Sequence, residues 1–336
     1  MYRYFYKDYM NLFEKIDHFC TQHNLLPLGT KILIGLSGGP DSVFLLHWLA
    51  SIQQEKNLTL VAAHLNHGWR AEADDEELFC KNLAQSLHIP FVSAHLKDSA
   101  DKLTFNGSRE EYARTARRLF FEQTAKQHNV NSIALAHHAD DQQETFFIRL
   151  VRGSSLSGLI GMRPSSGAYI RPLLNVYKKD ILDYLNEHTI TYCTDASNLS
   201  DDFLRNRIRN YVIPALQQTD TRFTHNFAKT LRSLQQTEDF LEQLTTQEFT
   251  KISMQEEQSY GISMAAWLQL HPTMQQRILI YWLCKNNLPF EPSEGFLQEM
   301  KKFINSTKSL SHAIHPSWTL HKKNDYLFAL AHNINY

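Results

Sequence analysis

Short apolar runs alternate with longer segments of helical periodicity along the first half of the chain. Runs with the length and continuous hydrophobicity of buried strands occupy residues 31–35, 58–65, 90–96 and 132–136. Segments with a helical pattern occupy residues 9–23, 43–52, 73–86, 108–127 and 140–152. This alternation predicts βαβ units, and therefore an α/β fold with a doubly wound, mostly parallel, Rossmann-like sheet.

The pattern becomes more polar after residue 153, where Gly and Ser are frequent. It predicts loops or turns at residues 153–167 and 194–202. Helical patterns and one closing hairpin make up most of the remaining chain. The predicted helices are residues 177–187, 273–285 and 293–305, and the predicted hairpin is residues 318–330.

Two domains are expected from this change of pattern. A length of 336 residues suits two domains, and 43% apolar residues suffice for their cores. We expect the sheet domain to cover residues 1–216. The second domain is expected to cover residues 217–336 and to be mainly helical, with a terminal hairpin.

Composition excludes several classes of protein. No run of about twenty apolar residues is present, so we expect no membrane span. Residues 1–9 lack the basic-then-apolar plan of a secretory signal. The four cysteines are widely separated, which argues against a disulfide framework, a zinc site or an iron–sulfur cluster. A cytoplasmic location is therefore expected.

A six-residue loop directly follows the first predicted strand and opens a helix. It consists of Ser37, Gly38, Gly39, Pro40, Asp41 and Ser42. Glycines let backbone N–H groups approach an anion, and a helix N-terminus adds donors and a positive dipole end. Asp41 would repel phosphate unless a Mg²⁺ ion lay between them. We interpret the loop as a phosphate cradle rather than a plain tight turn, and it lacks the P-loop lysine.

Polar residues also follow two other predicted strands. Asn66 and His67 follow the second strand, where they can contact a nucleotide or cap the strand, and His64 is a further candidate for ATP binding. The cluster after the fourth strand consists of His137, His138, Asp141 and Glu144. Asp141 and Glu144 are neighbours on one helix face and can hold Mg²⁺ or receive an amine. Asp140 is explained by the preference of acids for helix N-termini, and it has no assigned role.

A local basic stretch lies in a chain whose net charge is only −1. It begins with Arg205, Asn206, Arg207 and Arg209. Such a stretch suits an RNA backbone or the charge that develops on an activated base, although a solvated helix face is the ordinary alternative. The nearby polar residues Asp195 and Asn198 favour the functional interpretation.

The motifs resemble those of a known family. Ser-Gly-Gly-x-Asp-Ser after a strand is similar to the PP-loop of the N-type ATP pyrophosphatases, which cleave ATP between the α- and β-phosphates. Residues 64–70, 134–145, 195–198 and 205–209 read HLNHGWR, ALAHHADDQQET, DASN and RNRIR. Their order and spacing resemble the tRNA(Ile)-lysidine synthetases over about residues 30–216.

The resemblance implies a reaction and its partners. ATP with Mg²⁺ adenylates C2–O of the wobble cytidine in the CAU anticodon of tRNA(Ile). Free L-lysine then displaces AMP, giving lysidine, which reads AUA. Residues 1–216 are then the catalytic PP-loop domain, and residues 217–336 bind tRNA. A homodimer is among the assemblies that the sequence allows.

Residue roles follow from the motif positions. The catalytic residues are Asp41, Asp141, Glu144 and Arg205, with Asp41 also the metal ligand. The ATP-binding residues are Ser37, Gly38, Gly39, Pro40, Asp41, Ser42, His64 and Asn66. The residues for lysine or tRNA are Arg114, His137, His138, Asn206, Arg207 and Arg209. Which carboxylate receives lysine stays open at this point.

The sequence departs from the family at two points and is compatible with three other functions. Arg118 stands where the family usually has tyrosine, and a further C-terminal domain of longer members is expected to be absent. The nearest alternative is a PP-loop tRNA thiolase, which usually carries paired cysteines. A nucleotide- or RNA-binding protein with a degenerate site is the second. A glutamine-dependent amidotransferase is less favoured, because no glutaminase region is visible.

Overall fold

The computed structural model describes residues 2–69, 72–97, 109–194, 203–256, 259–288, 292–307 and 309–331. The chain forms two compact units, Met1–Leu231 and Arg232–Tyr336. The unit boundary lies within a long helix, C-terminal to the domain boundary expected at residue 216. The expected domain limits therefore stay a prediction.

A six-stranded sheet forms the centre of the first unit. Its strands are β1 Lys31–Gly35, β2 Thr59–Asn66, β3 Phe91–His95, β4 Ser132–Ala134, β5 Ser165–Ser166 and β6 Tyr169–Ile170. They lie in the order β3-β2-β1-β4-β6-β5, and only β5 runs antiparallel to its neighbour. The α/β, mostly parallel fold is thus confirmed.

Helices connect and cover the strands. They are α1 Tyr2–Gln22, α2 Pro40–Ser51, α3 Ala73–Ser86, α4 Arg109–Gln127, α5 Ala139–Val151, α6 Leu156–Leu159 and α7 Lys178–Glu187. The first begins before the predicted residue 9. The prediction of a loop over residues 153–167 is wrong at α6 and β5, because elements of four and two residues are too short to show a periodicity.

Alternate residues of the strands enter separate cores on the two faces of the sheet. Ile32 and Ile34 of β1 pack with residues of α1, α2 and α7. Leu33 packs on the other face with Phe120 and Phe121 of α4. Successive side chains of a strand point to opposite faces, so a strand covered on both faces is apolar throughout. Burial of each such side chain contributes roughly 1.5–3 kcal/mol.

The topology places two strand ends side by side. β1 and β4 are adjacent and parallel, with Leu33 in register with Ile133. The chain leaves β1 towards β2 on one side and leaves β4 towards β6 on the other. Doubly wound sheets bind ligands at such a switch point. The loop that opens α2 and the segment that opens α5 therefore meet there.

Helices continue beyond residue 202 and extend into the second unit. They are α8 Leu204–Arg207, the π-helix Ile208–Val212, α9 Ile213–Thr219, α10 Phe223–Ile252, α11 Met264–Leu268, α12 Pro272–Lys285 and α13 Glu294–Asn305. The predicted helices 273–285 and 293–305 correspond to α12 and α13. No described helix is long and apolar enough to cross a membrane.

An antiparallel sheet closes the second unit. Its strands are β7 Ser253–Glu256, β8 Ser259–Ser263, β9 Ser311–His315, β10 Trp318–Lys323 and β11 Tyr326–Ala331. The predicted hairpin is β10–β11, and β7, β8 and β9 extend it. Trp267 and Trp282 are fully buried in the core of this unit, and their indole N–H groups donate to backbone carbonyls.

Candidate active site

The loop after β1 is held by its own hydroxyl groups. Ser42 donates from Oγ to the carbonyl of Gly39 at 2.9 Å and accepts from the N–H of Ser37 at 3.1 Å. Gly38 has a φ of +83°, which favours glycine, and a Cβ atom there would lie 3.3 Å from the sulfurs of Cys80 and Cys193. The first N–H groups of α2 have no partner within the helix, so the loop suits an anion.

The fold brings together two cysteines that are distant in sequence. Cys80 is buried in α3, and the N–H of Cys193 donates to the carbonyl of Gly38 at 2.9 Å. Burial raises the pKa of Cys80 to about 12 and also raises the pKa of Cys193. Both groups are therefore thiols at neutral pH and pack against the back of the loop. The sequence could not predict this pair, because the residues have no close spacing.

Asp41 faces a lysine that the sequence analysis missed. The Nζ atom of Lys178 lies 2.5 Å from Oδ1 of Asp41. Lys178 is the first residue of α7, and its N–H donates to Oδ2 of Asp140 at 2.8 Å. Asp140, left without a role above, thus anchors the start of α7. No local motif marks Lys178, since its partner is 137 positions away in the chain.

His138 is buried among three carboxylates. Its Nε2 atom lies 3.7 Å from Asp41 and 3.5 Å from Asp141, and its Nδ1 atom lies 3.3 Å from Asp140. Burial alone would lower the pKa of His138. The contact with Asp140 and the charges of Asp141 and Asp41 outweigh burial, so the pKa is raised. His138 thus links the loop after β1 to the start of α5.

His137 has a different environment from its neighbour. Burial lowers its pKa to about 4, and the charges of Arg171, Arg205 and Arg114 act in the same direction against the charge of Asp141. His137 is therefore neutral at physiological pH. The pKa of Asp141 is lowered although burial raises it, because the charge of His138, the N–H of His138 and the charge of Arg205 favour its charged form. Asp141 is ionised.

Glu144 is the buried anchor of the basic stretch. Its Oε1 atom accepts from Nε of Arg209 at 2.5 Å, and its Oε2 atom lies 2.9 Å from Nε of Arg205. The second contact is an ion pair without the alignment of a hydrogen bond. Nη2 of Arg205 also lies 4.0 Å from Oδ1 of Asp141. The four predicted catalytic residues thus form one series of contacts, which runs from Asp41 through His138 to Asp141 and from there through Arg205 to Glu144.

Two further arginines, Arg149 and Arg171, are held by backbone carbonyls near Arg114. Arg149 donates to the carbonyls of Gly158 and Gly161, and Arg171 donates to the carbonyl of Arg163. Burial lowers the pKa of Arg149 and of Arg171, and the charge of exposed Arg114 lowers both pKa values further. Arg114 therefore lies close enough for its charge to influence the site, and its contact with a substrate stays a prediction. The sequence analysis did not assign Arg149 and Arg171.

The remaining predicted residues differ in their placement. His64 is buried, and its Nδ1 atom contacts the carbonyl of Leu36 at 2.9 Å; burial lowers its pKa. Asn66 caps the chain after β2, because its amide donates to Asp74 and Glu77 and accepts from Gly68. This favours the capping alternative for Asn66.

The first residues of the basic stretch differ in exposure. Asn206 is buried and Arg207 is exposed. Residues 195–198 lie outside the described part of the chain.

A divalent cation fits the donor set around Asp41. Mg²⁺ is usually held by one or two carboxylates together with substrate phosphates. Asp41 provides such a carboxylate next to Nε2 of His138, and ionised Asp141 approaches the same nitrogen atom. Within the described ranges, a different group, Asp74, Glu77 and His95, has ligand atoms within 4.8 Å of one another. Asn66 already donates to both of its carboxylates.

Arg118 lies outside this cluster. Its Nε atom donates to Glu122 at 2.9 Å, and its guanidinium lies 5.6 Å from the ring centroid of Tyr169. The hydroxyl of Tyr169 in turn contacts the carbonyl of Arg118. The residue that departs from the family's tyrosine thus packs at the outer end of the sheet.

Comparison with known proteins identifies similar chains. A family model described as a PP-loop domain matches residues 9–216. A tRNA(Ile)-lysidine synthase of Bacillus cereus is 32% identical over 304 residues, 88% of this chain and 64% of that protein. The enzyme of that name from Bacillus subtilis is 34% identical over 300 residues, 87% of this chain and 62% of that protein. The chain thus spans less than two thirds of the length of these relatives.

A solved structure gives the same fold. The U34-tRNA thiolase NcsA from Methanococcus maripaludis, which contains a [4Fe-4S] cluster, superposes with a TM-score of 0.57 at 17% identity. The match covers 68% of this chain and 80% of the thiolase. At this identity the similarity concerns the fold alone.

Proposed function

The chain belongs to the family of PP-loop domains, and from that membership we propose that it activates a tRNA base with ATP and ligates lysine to it. The substrates are tRNA(Ile) with a CAU anticodon, ATP and free L-lysine. The product is lysidine at the wobble position. Relatives named tRNA(Ile)-lysidine synthase, which this chain matches over most of its length, support the proposal.

One structural observation carries the proposal. Asp41 of the phosphate loop and Asp141 both approach His138, and Asp141 is linked through Arg205 to Glu144. An adenylating enzyme needs a site for pyrophosphate next to a site for the base and the amine. The loop and the start of α5 meet at the switch point of the sheet, which supports a phosphate site and a base-and-amine site next to each other.

The loop and its neighbours bind and orient ATP in the first step. Backbone N–H groups of Gly38, Gly39, Asp41 and Ser42 receive the phosphates, while the hydroxyls of Ser37 and Ser42 hold the loop in shape. Asp41 would hold Mg²⁺, which would neutralise phosphate charge. The C2 oxygen of the cytosine attacks the α-phosphorus, and pyrophosphate leaves. Arg205 lies where it can stabilise charge that develops on the activated base.

The second step replaces AMP by lysine. The lysine ammonium loses a proton to solvent and becomes a free amine. The amine attacks C2, the bond from C2 to the AMP oxygen breaks, and the nitrogen releases a second proton to solvent. Asp141 is ionised and less occupied than Glu144, which already contacts two arginines. We therefore assign Asp141 to the lysine ammonium and Glu144 to the placement of Arg205 and Arg209.

The thiolase alternative has less support. Sulfur transfer in such enzymes relies on reactive cysteine thiolates or a cluster. Cys80 is buried with a pKa of about 12, so it does not supply a thiolate. The homodimer and the tRNA-binding role of residues 217–336 stay predictions.

Labelled lysine tests the proposal. The protein is incubated with tRNA(Ile) bearing CAU, ATP, Mg²⁺ and labelled lysine, and label in the RNA is counted. The same tRNA with uridine at the wobble position is the control. Label is expected only in the cytidine-bearing RNA. Its absence with folded protein contradicts lysine ligation.

A further inference from the structure

Lys178 occupies the mouth of the phosphate loop and has no role in the steps above. We propose that Lys178 is a pyrophosphate-binding residue, which exchanges its contact with Asp41 for the β- or γ-phosphate of ATP. The inference deepens the proposed function, since it rests on the use of ATP at this site. Its chemistry concerns the phosphates alone and is independent of tRNA and lysine.

The placement of Lys178 separates a fixed backbone from a movable side chain. Its N–H donates to Asp140, and Asp140 contacts His138, so the start of α7 is tied to the start of α5. The ammonium group lies at the end of a flexible four-carbon stem. The side chains of Lys178 and Asp41 are 32% and 27% exposed, so both face an accessible part of the site.

Charge balance favours an exchange of partners. The loop presents backbone N–H groups to an anion, and Asp41 is the one loop residue that repels it. The contact of 2.5 Å with Lys178 neutralises Asp41 while no phosphate is bound. Once ATP brings its own cation to Asp41, the ammonium becomes a counter-charge for phosphate. Lysine is a common phosphate ligand because it acts as a compact point charge.

A purely structural role explains the arrangement less well. A half-exposed ion pair contributes little to stability. The start of α7 is already held through the backbone of Lys178, which any residue other than proline would retain. Removal of the Lys178 side chain is therefore expected to have little effect on the stability of the fold.

Binding of three ligands to variants tests the inference. Lys178→Met, Lys178→Arg and Lys179→Met are compared with the wild-type protein by calorimetric titration. Lys179 is the exposed next residue of α7 and serves as the matched control. The ligands are ATP, inorganic pyrophosphate and AMP, each with Mg²⁺. Melting temperatures establish that every variant is folded.

The expected result is selective for the phosphates. Lys178→Met should weaken ATP and pyrophosphate binding about tenfold, the effect of one charge-assisted contact, and leave AMP binding within about twofold. Lys178→Arg should recover most of the loss, and Lys179→Met should match the wild type.

Two results would overturn the inference. If ATP and AMP binding are weakened equally, Lys178 maintains the shape of the site and does not contact the phosphates. If the binding of all three ligands is unchanged, Lys178 serves only as the ion-pair partner of Asp41. The titrations contain neither tRNA nor lysine. A selective loss therefore upholds the role of Lys178 even if lysine transfer fails, and failure of the wild type to bind ATP overturns both proposals.

Discussion

Arg209 donates a hydrogen bond of 2.5 Å from Nε to Oε1 of Glu144, a carboxylate that is almost fully buried. The two residues are 65 positions apart, so the contact fastens the π-helix after α8 onto α5. Arg205 approaches the other oxygen of Glu144 at 2.9 Å. The position of both guanidinium groups therefore depends on one acidic side chain.

Replacement of Glu144 by glutamine tests that dependence. Glu144→Gln removes the charge that holds two arginines, so lysine transfer should fall about 100-fold. The free energy of unfolding should fall by about 2 kcal/mol, less than for a fully buried pair because both arginines are partly exposed. Urea unfolding and single-turnover assays measure the two effects.

The exposed pair of Arg118 and Glu122 provides the control. Glu122→Gln should change the free energy of unfolding by no more than about 1 kcal/mol and leave activity unchanged. Equal effects of the two substitutions would contradict the anchoring role of Glu144.

Gly38 should tolerate no side chain. Gly38→Ala places a Cβ atom 3.3 Å from the sulfurs of Cys80 and Cys193, at a φ of +83°. We expect a loss of about 1–2 kcal/mol in the free energy of unfolding and weaker ATP binding. Gly39→Ala is the matched control, since its Cβ would meet only Ser37 Oγ at 3.6 Å. A Gly38→Ala protein as stable as Gly39→Ala would show that the loop is not held against these sulfurs.

The capping network around Asn66 predicts a pH dependence. Burial raises the pKa of Glu77, but hydrogen bonds from Ser93 and Asn66 outweigh it and lower the pKa below its usual 4.5. A carboxyl whose pKa is lower in the folded state stabilises the fold above pH 4.5, and that contribution is lost as pH falls through the lowered pKa.

Urea unfolding of Glu77→Gln measures this contribution. The stability difference from the wild type should be largest near neutral pH and shrink as the pH falls below 4.5. Asp75→Asn, at an exposed position of the same helix, is the control. A difference for Glu77→Gln that does not change with pH would contradict the network.

Asp41 should be required for adenylation and not for RNA binding. Asp41→Ala removes the carboxylate that we assign to Mg²⁺, so AMP formation should fall by about 100-fold or more. The dissociation constant for tRNA, measured by filter binding, should stay within about threefold, since the basic stretch is unaltered. Turnover that survives this substitution would remove the metal role of Asp41.

Local patterns predicted the parts of the molecule that depend on local sequence. Continuous apolar runs located β1 to β4, because strands covered on both faces must be apolar throughout. The strand ends then indicated the loop at residues 37–42 and the acids of α5. Strands β5 and β6, of two residues each, leave no such pattern.

Contacts between distant residues were not predictable in the same way. Lys178 meets Asp41 across 137 positions, and Cys80 meets Cys193 only through the fold. Asn66 shows the opposite difficulty. Its position at a strand end suited both ATP binding and capping, and only its contacts with Asp74 and Glu77 favour capping.

An adenylated RNA is the central intermediate of the proposed reaction. The protein is incubated with tRNA(Ile) bearing CAU, Mg²⁺ and ATP labelled at the α-phosphate, without lysine, and the RNA is separated from nucleotides. We predict label on the wobble cytidine, and its release as AMP when unlabelled lysine is added. RNA that stays unlabelled while lysine is still incorporated, or label that lysine does not release, would contradict the proposed reaction.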